Sequence, residues 1–285
     1  MKVVLTTDGS ANAEQAIRWF SRLPACQESE LFVVTVEGQA ANSIYTPELN
    51  LQLGRQEKEN AEQAFKQANR ILAEVYCAAS HYPRIGHAAD EIIRLADEVA
   101  ADLIVIGARG RSMLAKILLG STSDAVATHA SCSVLVVRHP EEVAADDSDF
   151  RLLLALDASE RAKESIRQVA AFQWPPQTQA VLVTVIQHPA LLDDDEPYDR
   201  YLTASMNAVL EEGCKELAGR FASVSKHVLE EIHVGNSILT FAKESKTSVI
   251  VIGDTGQSAV SRFFIGSVSR FVLYHANCSV LLVRS

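Results

Sequence analysis

Apolar residues along this chain fall into two kinds of pattern, and the two alternate. KVVLTT (2–7), LFVVTV (31–36), DLIVIG (102–107) and SVLVVR (133–138) are short, continuous apolar runs rich in β-branched residues. Runs of this kind are strands buried on both faces of a parallel sheet. Between them lie stretches with helical spacing. Residues 10–22 put Ala13, Ala16, Ile17 and Phe20 on one face, with Ser10 placed to cap the first turn. Residues 50–77 predict a long polar helix with the stripe Ala61, Phe65, Ala68, Leu72 and Val75. A shorter helix over 89–100 runs through Ile92, Ile93, Ala96 and Val99. SHYPRIG (80–86) is a weaker strand, and Pro83 suits it to a sheet edge.

The same order then recurs. RLLLALD (151–157) is a strand, followed by a helix through Ala162, Ile166, Val169 and Ala170. AVLVTVI (180–186) precedes a long helix with Leu202, Met206, Val209, Leu217 and Phe221. VSKHVLEEI (224–232), a helix through Ile238, Leu239 and Ala242, SVIVIG (248–253) and SVLLVR (279–284) complete the set. The endings HASCSVLVVR (129–138) and HANCSVLLVR (275–284) agree at eight of ten letters. A repeat of this length is a duplicated domain rather than a solenoid. The expectation is an α/β protein with two doubly wound parallel sheets, over residues 1–140 and 151–285.

Composition adds the link between them. Of the net charge of −10, five charges fall within EEVAADDSDF (141–150), which reads as a solvated acidic linker. No basic face points to nucleic acid. Apolar runs are far shorter than the ~20 residues of a membrane helix, and the N-terminus has no secretory pattern, so a cytoplasmic protein is expected. The five cysteines are odd in number and contain no C-x-x-C, which argues against a disulfide framework or a metal knuckle. Cys132 and Cys278 read as small buried apolar residues.

Candidate chemistry gathers after the fourth strand of each copy. GARGRSMLAKILLGSTSDAV (107–126) and GDTGQSAVSRFFIGSVSRFV (253–272) both read Gly, two residues, Gly, nine residues, Gly-Ser. Gly107 and Gly110 permit a sharp turn and close approach of a ligand. Gly120-Ser121 opens a helix, where free amides and the positive dipole end suit phosphate. Ser121, Thr122 and Ser123 add hydroxyls there, as do Ser267 and Ser269 in the second copy. The same glycines would also serve a purely structural strand-to-helix turn.

With these motifs, and with TTDGSANAEQAIRW and ALDASERAKESIRQV at the copy starts, the chain resembles the universal stress protein family, in its tandem ATP-binding form. The resemblance covers nearly the whole chain twice. It implies five-stranded sheets of order 3-2-1-4-5 related by a pseudo-twofold, with Asp8 facing the loop of 107–123 and Asp157 that of 253–269. It implies that Asp8 and Asp157 meet the adenosine moiety, although both could instead cap the helices that follow. Val36, Val185, Ile106 and Ile252 would contact the adenine. Gly107, Gly110, Gly120 and Ser121 would cradle ribose and phosphate in one half, and Gly253, Gly256, Gly266 and Ser267 in the other. Thr122, Ser123, Val268 and Ser269 would line the phosphate end.

The halves differ in loop charge. Arg109, Arg111 and Lys116 in the first are matched against Asp254, Thr255, Gln257 and Arg262 in the second. A carboxylate near a triphosphate is unfavourable, so the first half is expected to bind ATP more tightly. DDDE (193–196) reads as a solvated loop, and His129 and His275 as helix-end contacts. The functional expectation is an ATP-binding regulatory or sensor protein of the stress response. The alternatives are a slow ATPase or autophosphorylating enzyme using Mg²⁺, and a nucleotide-free scaffold. No G-x4-G-K-[ST] motif supports efficient hydrolysis. The resemblance further implies pairing through the last strands, within the chain as a pseudo-dimer or between copies as a homodimer, and an unidentified protein partner.

Overall fold

The structure, a computed structural model, describes residues 1–38, 47–75, 77–110, 119–138, 150–157, 159–187, 197–254 and 265–284. The chain divides into two compact units, Met1–His139 and Pro140–Ser285. Of the linker expected at 141–150, residues 141–149 lie outside the described residues.

In the first unit the elements are β1 (Lys2–Thr6), α1 (Ala11–Ser21), α2 (Pro24–Gln27), β2 (Glu30–Glu37), α3 (Pro47–Ala73), β3 (Ala79–Ile85), α4 (Ala88–Val99), β4 (Leu103–Gly107), α5 (Ser121–His129) and β5 (Ser133–Val137). The strands are all parallel, in the order β3-β2-β1-β4-β5. The second unit repeats this with β6 (Arg151–Ala155), α6 (Glu160–Ala171), β7 (Gln179–Ile186), α7 (Pro197–Leu217), β8 (Ser223–Glu230), α8 (Val234–Glu244), β9 (Val249–Gly253), α9 (Ser267–His275) and β10 (Ser279–Val283). Its order is β8-β7-β6-β9-β10, again all parallel. Each unit therefore has the strand order 3-2-1-4-5.

This order creates a switch point. The chain winds outward from β1 through β2 to β3, then returns to lay β4 on the other side of β1, with Leu5 opposite Val105. The carboxyl ends of β1 and β4 emerge side by side, and in α/β sheets ligands bind in the crevice there. β6 and β9 repeat the arrangement, with Leu154 opposite Val251.

Central strands are apolar on both faces because helices cover both. Val3, Val4, Leu5, Ile104 and Val134 have no more than 1 % of their surface exposed, and neither do Leu152, Leu153 and Leu154. Ser10 and Ser159 cap α1 and α6 with their side-chain oxygens, as the first copy's sequence predicts. β3 is an edge strand, paired among the described residues with β2, and Pro83 sits in it.

Several boundaries fall elsewhere than the periodicity suggests. α3 ends at Ala73, leaving Val75 beyond it, and α7 ends at Leu217, leaving Phe221 beyond. In α4 the fully buried position is Leu95, while Ile93 and Val99 are half-buried. Cys278 is buried, but Cys132 is only partly so. α2, opened by Pro24 at its first turn, brings Cys26 to within 3.1 Å of Cys77, sulfur to sulfur. Burial, with the neighbouring thiol, pushes the Cys26 pKa up and keeps it protonated.

Phe65 is half-buried because its ring stacks on His81, with centroids 4.1 Å apart. His81 Nε2 also meets Thr35 Oγ1 at 2.9 Å. Burial lowers the His81 pKa below the ordinary 6.5, against an opposing pull from the Glu62 carboxylate. The unfolded chain then binds the proton more readily than the folded one, so stability from this site is present above the unfolded pKa and is lost as pH falls through the folded one. Unfolding midpoints measured from pH 7 down to 5 should decline, and more shallowly in a His81→Phe variant. Phe20 is wholly buried between α1 and the sheet. Its replacement by Ala should cost about 3–5 kcal/mol in urea unfolding.

Candidate functional site

At the end of β1 the chain turns through Gly9, whose φ of 74° is a left-handed conformation suited to glycine. Asp8 Oδ1 accepts a hydrogen bond from the Ser10 amide at 2.9 Å, and Ser10 Oγ accepts from the Ala13 amide at 3.3 Å. Asp8 thus braces the capping residue rather than capping α1 itself. Its other oxygen faces Gly110, where a Cβ would come within 2.8 Å. The sequence-predicted neighbours Asp8 and Gly110 are therefore in contact.

β4 ends against α1: a Cβ on Gly107 would lie 3.0 Å from the Asn12 carbonyl oxygen. A side chain at that position would require the α1 backbone to give by a few tenths of an ångström. Gly120 begins α5 in an extended conformation and offers no side-chain cap, so among the described residues no capping side chain covers the first-turn amides. Its own amide donates to the Ala108 carbonyl at 2.8 Å, closing the loop onto the strand. Ser123, although expected to present its hydroxyl to phosphate, is buried and donates to the Gly107 carbonyl at 2.7 Å. Ser121 is exposed and Thr122 half-exposed at the helix start, and Arg109 is half-buried beside Gly120.

Asp8 and Val36 line a cavity of about 120 Å³ together with Thr7, Thr35, Glu37 and Glu57. Ile106 and Gly120 are not part of its described lining. In the first unit the predicted residues are thus split between this cavity and the turn that passes Asp8.

The second unit brings them together. One cavity of about 200 Å³ is lined by Asp157, Val185, Ile252, Gly253, Gly266, Ser267, Val268 and Ser269. All eight are residues singled out from the sequence. Thr255 and Gly256, also singled out, lie outside the described residues, as do Arg111, Lys116 and Arg262. Val234 and Ile238 from α8, and Arg161 and Ser165 from α6, complete walls that the sequence reading passed over. Asp157 Oδ1 accepts from the Ser159 amide at 3.1 Å and from its hydroxyl. Gly266 opens α9 with no side-chain cap. Ser269 Oγ donates to the Gly253 carbonyl at 2.6 Å, as Ser123 does to Gly107.

Asp254 departs from its part in the charge comparison between the loops. Its carboxylate, expected to face the phosphates, is 5 % exposed and turned inward. Oδ2 accepts from Arg284 Nη1 at 3.1 Å, and Oδ1 stands 3.6 Å from Arg161 Nη1. Two guanidinium groups answer this one carboxylate, so it adds no net repulsion to the cleft. The repulsion expected from Asp254 is therefore absent, while Arg111, Lys116 and Arg262, the other charges of the comparison, lie outside the described residues. His275 makes the helix-end contact expected of it, its Nδ1 lying 2.8 Å from the Phe271 carbonyl.

The profile of the universal stress protein family matches residues 1–138 and again 150–284. The chain belongs to this family. It is a tandem member: a universal stress protein of Mycolicibacterium smegmatis is 26 % identical over 306 residues, covering 99 % of this chain and 96 % of that one. A universal stress protein of Methanocaldococcus jannaschii is 31 % identical over 143 residues, 50 % of this chain and 84 % of its own. The crystal structure of a universal stress protein from Archaeoglobus fulgidus shares the fold, with a TM-score of 0.70 at 20 % identity, covering 99 % of this chain and 98 % of that one. Among the described residues, no helix is long and apolar enough to cross a membrane.

Removing the Asp254 carboxylate would leave Arg284, itself 7 % exposed, as a buried charge beside the Arg161 cation. Asp254→Ala should therefore destabilise the second unit by about 3–5 kcal/mol. Trp174 is buried in that unit, so its fluorescence in a Trp19→Phe background reads the transition in denaturant.

Proposed function

We propose that this universal stress protein binds ATP and acts as a nucleotide-dependent regulator or sensor. The observation that carries the reading is the second-unit cavity, where an apolar wall, a carboxylate and an uncapped helix start converge. Val185, Ile252 and Ile238 offer the apolar surface an adenine ring needs. Asp157 is placed to accept from ribose hydroxyls. The α9 amides and dipole favour phosphate. A cavity of about 200 Å³ is below the ~300–1,000 Å³ usual for small-molecule sites. It suits the base and sugar, with the phosphates lying outward at the helix start.

A regulator is preferred to an efficient hydrolase for a chemical reason. Asp157 is the one carboxylate among the described lining residues, and it is already hydrogen-bonded to Ser159. Mg²⁺ would accompany the triphosphate, as it does in solution.

Titration calorimetry of the full chain with ATP and adenosine tests the reading. Gly266 has φ −61° and ψ 152°, a conformation valine adopts readily, so Gly266→Val should fold while its side chain obstructs the cleft. We expect one of the ATP sites to weaken by at least about tenfold, roughly 1.4 kcal/mol. Absence of ATP binding to the unaltered protein at millimolar concentration would overturn the proposal.

A further inference from the structure

We infer that Arg161 is the residue by which the second cleft distinguishes a phosphorylated nucleoside from a bare one, and that the first unit is not built to do so in this way. The inference rests on the nucleotide reading above and gives one of its sites a selectivity.

Arg161 lies in the first turn of α6 and lines the cavity with its side chain one-third exposed. Its guanidinium is positioned by Asp254 at 3.6 Å, a separation that orients the group without a hydrogen bond. Asp254 is meanwhile hydrogen-bonded to Arg284. Of the two guanidinium groups beside Asp254, Arg161 is the one that reaches the cleft, and it is the one Lys or Arg among the described lining residues. Arg161 Nη1, the nitrogen nearest Asp254, is itself buried, and an anion in the cleft would meet the exposed third of the side chain instead. The uncapped start of α9 lines the same cavity through Gly266 and Ser267, so side-chain and main-chain donors of positive potential share a single space.

The first copy has Asn12 where the second has Arg161, and Ala108 where it has Asp254. The second copy thus has both the cation and the carboxylate, and the first has neither at these positions. The cavity beside Asp8 carries Glu37 and Glu57 as well, and no Lys or Arg among its described lining.

The test is calorimetry on the full chain with ATP and with adenosine, comparing the unaltered protein with Arg161→Gln and Arg161→Lys. We expect Arg161→Gln to lose about tenfold in ATP affinity at one site, with adenosine affinity unchanged, and Arg161→Lys to recover part of the loss. A structural role alone would weaken both ligands equally or neither, and either result would sink the inference while leaving the nucleotide reading intact. If the unaltered protein binds neither ligand, both fall together. Should Arg161→Gln fail to fold, the reciprocal variant Asn12→Arg with Ala108→Asp decides. It should raise the preference of the first unit for ATP over adenosine, and an unchanged preference refutes the assignment of that role to the pair.

Discussion

An α-helix that starts without a side chain over its first amides has unmet hydrogen-bonding capacity and a positive end. Both units place such a start, at Gly120 and Gly266, beside the carboxyl edge of their sheets. The surrounding structure holds that start in place. Each loop is closed by an amide-to-carbonyl bond, from Gly120 to Ala108 and from Gly266 to Asp254. Each helix is tied to the strand before its loop by a serine hydroxyl, Ser123 to Gly107 and Ser269 to Gly253. The serines thus fix the distance between strand end and helix start, and the main chain is left to meet a ligand.

Much of this framework is legible along the chain. Buried parallel strands have little choice but to be apolar on both faces, so they appear as unbroken runs such as LIVIG and SVLLV. Ser10 and the edge position of Pro83 are equally local in origin, since one concerns a cap and the other a missing amide. Helix ends are less legible. Val75 and Phe221 continue the apolar spacing of α3 and α7 past the point where the backbone stops being helical, because both positions remain apolar after the turn. Leu95 is hard to see for the opposite reason: the stripe through Ile92 and Ala96 looks complete without it.

The electrostatics of the second cleft were the hardest part to read. Asp254 and Arg284 are 30 residues apart in the chain, and each taken alone looks like an exposed charge at a strand end. Only the parallel pairing of β9 with β10 makes them neighbours. A signal was nevertheless present. Comparing the two copies position by position shows opposite charges at Arg161 and Asp254 where the first copy has the neutral Asn12 and Ala108, a difference that suits two positions in contact. The buried pair costs desolvation on both sides and contributes little to net stability.

Because both copies belong to one polypeptide, every molecule carries the two variants of the cleft in a strict one-to-one ratio. An assembly of identical single-unit chains would have only one kind of cleft, and any specialisation would alter all of them at once. Fusion removes that restriction. One copy is at liberty to acquire an arginine and its anchoring carboxylate while the other keeps asparagine and alanine, and the proportions stay the same at every expression level.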